Sequence, residues 1–508
     1  MRYTFIVLLI ALRLLCFSQY KFDYVWVLGT AGDPVNQHPL FGLDILDFNN
    51  GELNITREYI EGNMFMTNAS MCDHEGKLLF YSDGCKIYNR TGQVMMNGSG
   101  LNPGAAYSTG NCPDEGNAIP KGLLILPLPG DSSRYCIFHK AAEFDGGKLL
   151  IKKLYYSQVD MSANGGLGKV LEKNKVIVSD TLQGGNLHAV RHANGEDWWI
   201  MLAKSTADVV YSVLLTGDGI AGVFEQQVGI IPDPWFSSAG MTCFSPDGTK
   251  YARWYKNEQL SLFDFDRNTG LLSNLQQFYV DSTGGNYNYG GCSFSSSSRF
   301  LYVNTQLSLY QFDLAAADVQ ASKTHVGEFD GYLWWGQLPV TFGFMQLAPD
   351  CKIYIPSRNG SDILHVIHNP DVPGLGCNFV QHEFYLPALN ASTIPNFPNY
   401  RLGTPYPVCD SSIQLVTSAV PVLPPVREVR VWPNPARGEV QVGLPAQLPS
   451  LVSWVLYDAM GRRVIERRLE VGQSVQSVPL DGAPPGLYFW EARTAGGRLG
   501  SGKLVVME

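Results

Sequence analysis

The chain repeats one short segment in which apolar and polar residues alternate. Alternation with a period of two predicts a β-strand with one buried face. Five copies end 55, 51, 47 and 56 positions apart, at residues 160, 215, 266, 313 and 369, and two further copies lie upstream. A repeat of about 50 residues is typical of units that bury their cores only by stacking on one another. The copies are Phe41–Asp47, Cys85–Asn89, Leu154–Asp160, Val209–Leu215, Leu260–Asp266, Leu307–Asp313 and Ile363–Asn369.

Turn residues flank most copies. A hairpin turn such as Ser245 to Gly248 precedes the copy, and a second turn such as Asn268 to Gly270 follows it. Proline followed by Asp and Gly favours a type I turn. Each unit therefore reads as about four short antiparallel strands, and seven such units predict an all-β chain whose main domain is a seven-bladed β-propeller with four-stranded blades. Six or eight blades stay open because 71 residues separate the ends of the second and third copies, Asn89 and Asp160. An array of β-sandwiches is the alternative architecture.

The two ends of the repeat region suggest how the ring closes. The strand-like residues 24–28 precede the first copy, and further strand-like residues follow the last copy up to Leu402. Joining both ends within one blade would remove an exposed sheet edge. We therefore expect residues 24–28 to pair with a strand from residues 377–402.

Composition and the first residues bear on location. A net charge of -9 disfavours a general nucleic-acid binder, which needs a basic surface. Residues 1–18 combine Arg2 with an apolar stretch from Phe5 to Leu15, which predicts a signal peptide. This stretch is too short for a permanent membrane span, and no other window is apolar enough, so no transmembrane span is predicted. Cys16 raises the alternative of a lipoprotein, but Leu15 stands where that signal requires a small residue.

Cysteine usage favours disulfides over metal binding. Nine of the ten cysteines follow residue 18, and an odd number leaves at least one thiol unpaired in a monomer. The chain has no CxxC motif, so a zinc site is not predicted. Cys72 and Cys85 are close in sequence, but the turns between them place these two residues on strands that are not neighbours.

A change of composition separates the C-terminal region. Residues 404–427 are rich in proline, which predicts an extended linker. Residues 427–508 hold ten basic and eight acidic side chains, a balance of +2 that leaves -11 for the rest of the chain. The predicted organisation is a signal peptide at 1–18, a β-propeller at 19–403, a linker at 404–427 and a separate domain at 428–508.

Four ordered blocks of the C-terminal region carry a resemblance: residues 431–438 (VWPNPARG), 455–464 (VLYDAMGRRV), 485–490 (PGLYFW) and 503–506 (KLVV). In order and spacing they resemble the type A C-terminal sorting domain of type IX (Por) secretion cargo. The resemblance implies a small β-sandwich that acts as an export address, and the type IX machinery as its partner. It implies a secreted or outer cell-surface location after removal of the signal peptide. An appended adhesion sandwich is the alternative. The sorting-signal residues that the resemblance implies are Pro433, Asn434, Pro435, Gly461, Gly486, Tyr488 and Lys503.

The repeat region carries a second resemblance, on residues 77–98, 122–129 and 155–168. These segments are similar to the N-terminal part of large surface proteins of gliding bacteria that use the same export route. The resemblance implies a propeller at the cell surface and no particular activity.

Few segments suggest chemistry. The insertion Ser99 to Lys121, with Cys112, Asp114 and Glu115, is either a binding loop or a cover for a sheet edge. Residues 264–270 resemble the start of a calcium loop but lack its later bidentate acid, so a hairpin turn is favoured. The pairs His188 with His192 and His365 with His368 have metal spacing only on a helix, and both lie in strand patterns. The tryptophan pairs 198–199 and 334–335 could stack on sugars, but packing between sheets is favoured.

These patterns include no catalytic motif. The prediction is therefore no catalytic residue, no metal ligand and no cofactor, with the binding residues unassigned. The function predicted is a secreted or cell-surface module for binding, adhesion or structure, with a surface glycan or a protein as its ligand. The alternative is an extracellular hydrolase or lyase that acts on glycan or peptide through the propeller channel, where residues from separate blades need no linear motif.

Overall fold

The computed structural model describes residues 20–30, 40–104, 112, 116–230, 240–255, 258–281, 290–334, 337–414, 429–444, 452–458, 460–470, 475–494 and 497–507. The predicted signal peptide and residues 415–427 of the predicted linker lie outside these ranges. Contacts divide the chain into two compact units, residues 1–415 and 416–508. The described residues contain no α-helix, and therefore no helix long and apolar enough to cross a membrane. Short 3₁₀ helices occur at Asn49–Gly51, Asn164–Gly166 and Gly374–Cys377.

Seven groups of antiparallel strands follow one another along the described residues of the first unit, and we call them blades 1 to 7. A parallel bridge between Met96 and Lys169 joins blades 2 and 3 into one eight-stranded sheet. Blade 1 contains β1 Val25–Thr30, β2 Gly42–Asp47 and β3 Asn54–Glu58. Blade 2 contains β4 Ala69–Cys72, β5 Leu78–Ser82, β6 Lys86–Asn89 and β7 Val94–Ser99. Blade 3 contains β8 Leu123–Pro127, β9 Arg134–Asp145, β10 Lys148–Asp160 and β11 Lys169–Leu182. Blade 4 contains β12 His188–Arg191, β13 Trp198–Ala203, β14 Val210–Thr216 and β15 Gly219–Gln226.

The remaining blades have the same strand order. Blade 5 contains β16 Met241–Phe244, β17 Lys250–Tyr255, β18 Glu258–Asp266 and β19 Leu271–Phe278. Blade 6 contains β20 Cys292–Phe294, β21 Phe300–Asn304, β22 Ser308–Asp313 and β23 Thr324–Glu328. A two-stranded sheet of β24 Leu333–Trp334 and β25 Leu338–Pro339 comes next. Blade 7 contains β26 Gln346–Leu347, β27 Ile353–Pro356, β28 Ser361–Ile367 and β29 Phe379–Asn390.

The repeated segment of the sequence is the third strand of each four-stranded blade, as in β10, β14, β18, β22 and β28. The turns on either side make the hairpins, because Asp247 and Gly248 lie between β16 and β17, and the Gly248 amide donates to the Ser245 carbonyl at 2.8 Å. Blade 3 has strands of 12, 13 and 14 residues, and these long strands together with the loop after β7 fill the long interval in the repeat. The structure therefore confirms an all-β chain with a seven-bladed propeller.

Ring closure differs from the prediction. Among the described strands, β1 pairs only with β2, and residues 379–390 form the fourth strand of blade 7, so the two segments lie in different blades. The prediction of a shared blade is wrong, because blade 7 needs this last strand for itself and blade 1 is left with three strands. Side chains of blade 2 satisfy the free edge of β1. Asn68 Nδ2 donates to the Val27 carbonyl at 2.7 Å, and Ser70 Oγ donates to the Val25 carbonyl at 2.7 Å.

The chain after residue 402 stays on the first unit. The Asp410 amide donates to the Pro349 carbonyl at 2.6 Å, and the Gln414 amide donates to the Gly51 carbonyl at 2.7 Å. A disulfide joins Cys409 to Cys351. Residues 404–414, which the sequence assigned to the linker, are thus held against blades 1 and 7.

The second unit is a small β-sandwich, as predicted. Its two sheets share β30, which pairs with β31 near its start and with β36 at Ala436. The buried core includes Trp454, Leu456, Trp490 and Leu504. The strands are β30 Arg430–Arg437, β31 Glu439–Gly443, β32 Val452–Tyr457, β33 Arg463–Leu469, β34 Val475–Pro479, β35 Gly486–Thr494 and β36 Gly497–Val506.

Candidate functional site

The central channel, where propellers commonly bind ligands, is filled by the protein's own chain. Residues 391–402, which we call the channel segment, follow β29 directly and are almost entirely buried. They contact residues in or beside the first strands of several blades: Asn68, Leu123, Leu187, Pro246 and Gln346. Since these first strands surround the propeller axis, a segment that contacts all of them lies on that axis.

Polar side chains anchor the channel segment. Asn396 Nδ2 donates to the carbonyls of Leu123 at 3.1 Å and Leu187 at 2.8 Å. Tyr400 Oη donates to the Ile125 carbonyl at 2.7 Å, and its ring packs edge-on against Trp198. Blade carbonyls that face the channel are thereby satisfied by the segment itself, which favours a fixed structural element over an open ligand site.

Lys121 attaches the loop before blade 3 to the same segment. Its Nζ donates to the carbonyls of Ile394 at 3.3 Å and Pro395 at 2.8 Å. Burial lowers the pKa of Lys121 to about 7. The two hydrogen-bond partners of this amine are backbone carbonyls and not carboxylates. They satisfy the amine without an ion pair that would offset the effect of burial on its pKa.

A buried ion pair fastens the end of the channel segment. Arg401 donates from Nη1 and Nη2 to the two carboxylate oxygens of Asp23 at 2.6 and 2.8 Å. Arg401 also donates to the carbonyls of Val408 at 2.8 Å and Tyr20 at 3.2 Å. The pair joins residues 378 positions apart and holds the start of the propeller to its end.

A cavity of about 60 Å³ remains beside the channel segment. Its lining includes His188, Met241 and Phe397, and Asp23 is its one carboxylate, already bound to Arg401. A volume of this size holds a few water molecules. Among the described residues that line the cavity, no second carboxylate accompanies Asp23, whereas glycoside hydrolysis uses a pair.

A second buried lysine gives a pH-dependent prediction. Lys140 Nζ donates to the Gln183 carbonyl and to Asn186 Oδ1, both at 2.6 Å, and burial lowers its pKa from 10.5 to about 7. Between these two pKa values the unfolded chain binds a proton that the folded chain does not, so this lysine makes stability rise with pH. Relative to Lys140→Met, we expect the wild-type free energy of unfolding to increase by up to about 1.4 kcal/mol per pH unit above pH 7.

Denaturant titrations of both proteins at several pH values between neutral and pH 10 measure this difference. The exposed Lys148→Met variant, titrated in the same way, is the control for loss of a lysine. A Lys140→Met difference that does not change with pH, or that falls with pH, would contradict a neutral buried amine.

The loop Ser99 to Lys121 is partly described. Cys112 forms a disulfide with Cys85, whereas Asp114 and Glu115 lie outside the described residues. The Oδ1 of buried Asn102 accepts a hydrogen bond from His139 Nδ1 at 2.6 Å, and its Nδ2 donates to the Gly84 carbonyl at 2.8 Å. The described part of this loop is thus tied into the protein. Cys72 is not bonded to Cys85, in agreement with the sequence argument.

The other sequence candidates have structural roles where the structure describes them. Asp266 accepts from the Asn268 amide at 2.9 Å and from Thr269 Oγ1 at 2.9 Å, which is hairpin chemistry. His188 is buried in β12, and His365 is buried in β28 against the rings of Phe342 and Phe379. In the described part of the chain, no group of three or more His, Cys, Asp or Glu side chains is placed to hold a metal ion.

Three of the four tryptophans in these pairs are described, and all three pack inside the propeller. Trp198 and Trp199 are both buried in β13. Trp334 is also buried, and its Nε1 donates to Asp362 at 2.9 Å. Trp335 lies outside the described residues.

The sorting-signal candidates Pro433, Asn434 and Pro435 lie where β30 passes from one sheet to the other. Proline has no amide hydrogen, so the backbone here cannot complete a strand ladder. The Asn434 side chain supplies hydrogen bonds to the neighbouring strand that the backbone cannot make here. Its Nδ2 donates to the Lys503 carbonyl at 2.9 Å, and its Oδ1 accepts from the Val505 amide at 2.9 Å. An amide side chain provides both a donor and an acceptor, which explains Asn between the two prolines.

The other sorting-signal candidates lie on the same sheet or in its turns. Gly461 has φ +76° in the turn before β33, where its amide donates to the Asp458 carbonyl at 2.9 Å, and this conformation favours glycine. Gly486 begins β35, and Tyr488 Oη donates to the Pro484 carbonyl at 2.6 Å. Lys503 is exposed on β36 opposite Phe489. The structure thus brings Asn434 and Lys503 together and leaves Gly461 in a separate turn.

Sequence reasoning missed the channel segment and the Asp23–Arg401 pair. Residues 393–400 contain two prolines and no strand periodicity, so they read as a surface loop. The available signal was the run of Ile394, Phe397 and Tyr400, apolar residues that a surface loop does not require.

The two units define the class of the protein: a seven-bladed β-propeller followed by a separate small β-sandwich. Residues 430–507 match the family described as secretion system C-terminal sorting domain. The second unit is therefore a sorting domain, and the chain is cargo of the type IX secretion system, exported to the cell surface or the medium.

Solved structures resemble the fold at low identity. A protein of unknown function from Desulfotomaculum acetoxidans is 14% identical with a TM-score of 0.40, over 74% of this chain and 99% of that chain. The β-propeller domain of Cps50 (Swd1) from a Myceliophthora species is 9% identical with a TM-score of 0.35, over 66% of this chain and 96% of that chain. The extracellular domain of a one-component system from B. thetaiotaomicron is 11% identical with a TM-score of 0.36, over 96% of this chain and 56% of that chain. No functionally curated protein matches the sequence significantly.

Proposed function

We propose that the exported propeller is a binding or structural module of the cell surface, and that it does not act as a hydrolase or lyase through its channel. The observation that carries this proposal is the channel segment. Asn396 and Tyr400 use the channel-facing carbonyls of blades 3 and 4, so a substrate would have to displace a buried part of the protein. A ligand would instead bind to the outer surfaces of the blades or their loops.

One experiment separates the two functions. The exported protein is run in native gels that contain glycans or proteins from the surface of the producing bacteria, and peptide and glycan cleavage products are measured in the same mixtures. We expect retarded migration with at least one glycan or surface protein, and no product. Release of products that stops in a folded His188 variant would instead support an enzyme that works at the cavity.

We propose further that Pro433, Asn434, Pro435, Gly461, Gly486, Tyr488 and Lys503 form the sorting signal. The support is the contact that Asn434 makes with the backbone of Lys503 and Val505, which joins the first and last strands of the sorting domain. A recognition surface built from both ends of a domain exists only when the domain is folded. The signal would then report that the sorting domain is complete.

Asn434→Ala should reduce export. The substitution leaves the Lys503 carbonyl and the Val505 amide without this partner, which costs about 1–3 kcal/mol where such groups are buried and less at this exposed site. We expect less protein in the medium and on the surface, with retention in the periplasm, as measured by immunoblots of cell fractions. The exposed Met460→Ala variant is the control. Equal export of the two variants would remove Asn434 from the signal.

A further inference from the structure

Two buried thiols face each other between blades 5 and 6. Cys243 lies on β16 and Cys292 on β20, the first strands of their sheets. Their Sγ atoms are 3.5 Å apart, and both side chains are buried. Both cysteines line the cavity beside the channel segment.

The arrangement is close to that of a disulfide. A disulfide needs an S–S distance of about 2.05 Å, so the two sulfurs would have to approach by roughly 1.5 Å. The two cysteines belong to different sheets, so rotation of their side chains can close this gap without breaking a strand ladder. Cys292 Sγ also contacts the Met241 carbonyl at 3.5 Å, so this sulfur lies close to β16.

We propose that Cys243 and Cys292 form a disulfide in the exported protein, and that this bond links blades 5 and 6 at the channel wall. The sorting domain supports the proposal, because a chain that carries it is exported and so leaves the reducing cytoplasm for compartments where disulfides persist. Cys85 with Cys112 and Cys351 with Cys409 already form two such bonds in the same unit.

The reaction is a thiol–disulfide exchange with an oxidised dithiol carrier. One cysteine thiolate attacks the carrier disulfide and forms a mixed disulfide, which the second thiolate then attacks. A sulfur–sulfur bond forms between Cys243 and Cys292, and the carrier leaves as a dithiol that has taken up the two electrons and two protons.

Burial sets the time at which this exchange occurs. Burial raises the pKa of the Cys292 thiol well above its ordinary value, and only the thiolate attacks. The bond therefore forms while the blades are still assembling, before the channel segment closes the cavity.

The remaining thiols are placed differently. Cys136 Sγ contacts Tyr156 Oη at 3.4 Å, and Cys377 lies beside Tyr302. Three bonds would use six of the nine cysteines that follow residue 18 and would leave Cys72, Cys136 and Cys377 as buried thiols.

Alkylation and peptide mapping test the proposal. The full chain is collected from the medium or the cell surface, unfolded in denaturant with N-ethylmaleimide and digested, with and without prior reduction. Without reduction, we expect a cross-linked peptide pair that contains Cys243 and Cys292, and loss of labelling at both. Cys136 in the same sample should be labelled fully. Reduction should restore labelling of Cys243 and Cys292.

Variants give a result that does not depend on stability. In Cys243→Ala, Cys292 should gain full labelling without reduction, whereas the matched buried variant Cys136→Ala should leave Cys292 protected. The proposal is overturned if both cysteines are labelled as fully as Cys136 in the wild type. It is also overturned if Cys292 stays protected in Cys243→Ala, or if metal analysis finds a soft metal ion bound in equal amount by the two thiols.

Discussion

Arg401→Ala should lower the free energy of unfolding of the first unit by about 3–5 kcal/mol, because it leaves the Asp23 carboxylate buried and unpaired. In the wild type both oxygens of Asp23 accept from the Arg401 guanidinium, at 2.6 and 2.8 Å. The substitution also removes the donors to the Tyr20 and Val408 carbonyls. Equilibrium unfolding of the full chain in denaturant, followed by tryptophan fluorescence, measures the loss.

A matched pair and a double variant show whether this loss comes from burial. Arg299 forms a comparable two-point ion pair with Asp313, but on the exposed surface, where such pairs contribute little. Arg299→Ala should therefore have a much smaller effect. Asp23→Asn combined with Arg401→Met should cost less than the sum of the two single changes, since neither buried charge is then left alone. Equal effects of Arg401→Ala and Arg299→Ala would show that the Asp23–Arg401 pair does not close the ring.

The blades could be predicted because their signal is local. Apolar and polar residues alternate in the sequence of the repeated strand, and Pro, Asp, Asn and Gly favour the turns on either side of it. These residues favour a strand or a turn through local preferences, which do not depend on contacts with distant parts of the chain. Spacing of the copies then indicates the number of blades, and the long strands of blade 3 explain the one irregular interval.

Closure of the ring could not be predicted in the same way. The strand-like residues before the first copy and after the last copy are equally compatible with one shared blade and with two separate blades. The choice depends on which partner satisfies the free edge of β1, and in the structure Asn68 and Ser70 do so through their side chains. Side-chain contacts between separate sheets leave no periodic pattern in the sequence.

The candidate site shows the same division. The sorting domain could be predicted from ordered motifs, but the reason for Asn434 became visible only when β36 was placed beside it. The channel segment could not be predicted, since its hydrogen bonds join residues more than 200 positions apart. Cysteine pairing is similarly long-range, and composition indicated only that at least one thiol stays unpaired.

The separation of the two units bears on how export can be tested. The first compact unit ends at residue 415 and contains Arg401, Cys409 and Gln414 with their partners. A cut between residues 414 and 429 would therefore leave the described contacts of both units whole. Such a cut is what we propose for a sorting protease that acts on the predicted proline-rich linker.

Deletion of residues 428–508 should leave a folded propeller that stays in the periplasm. The deletion removes the whole sorting domain, and the propeller keeps its own core, the Asp23–Arg401 pair and its disulfides. Immunoblots of cytoplasm, periplasm, surface and medium measure the location, and resistance to protease measures folding.

As the reciprocal control, residues 428–508 fused to a reporter with its own signal peptide should carry that reporter to the surface or the medium. If the truncated propeller still reaches the surface at the wild-type level, residues 428–508 are not its export address. A truncated chain that protease degrades in the periplasm would show instead that the propeller needs the second unit to fold.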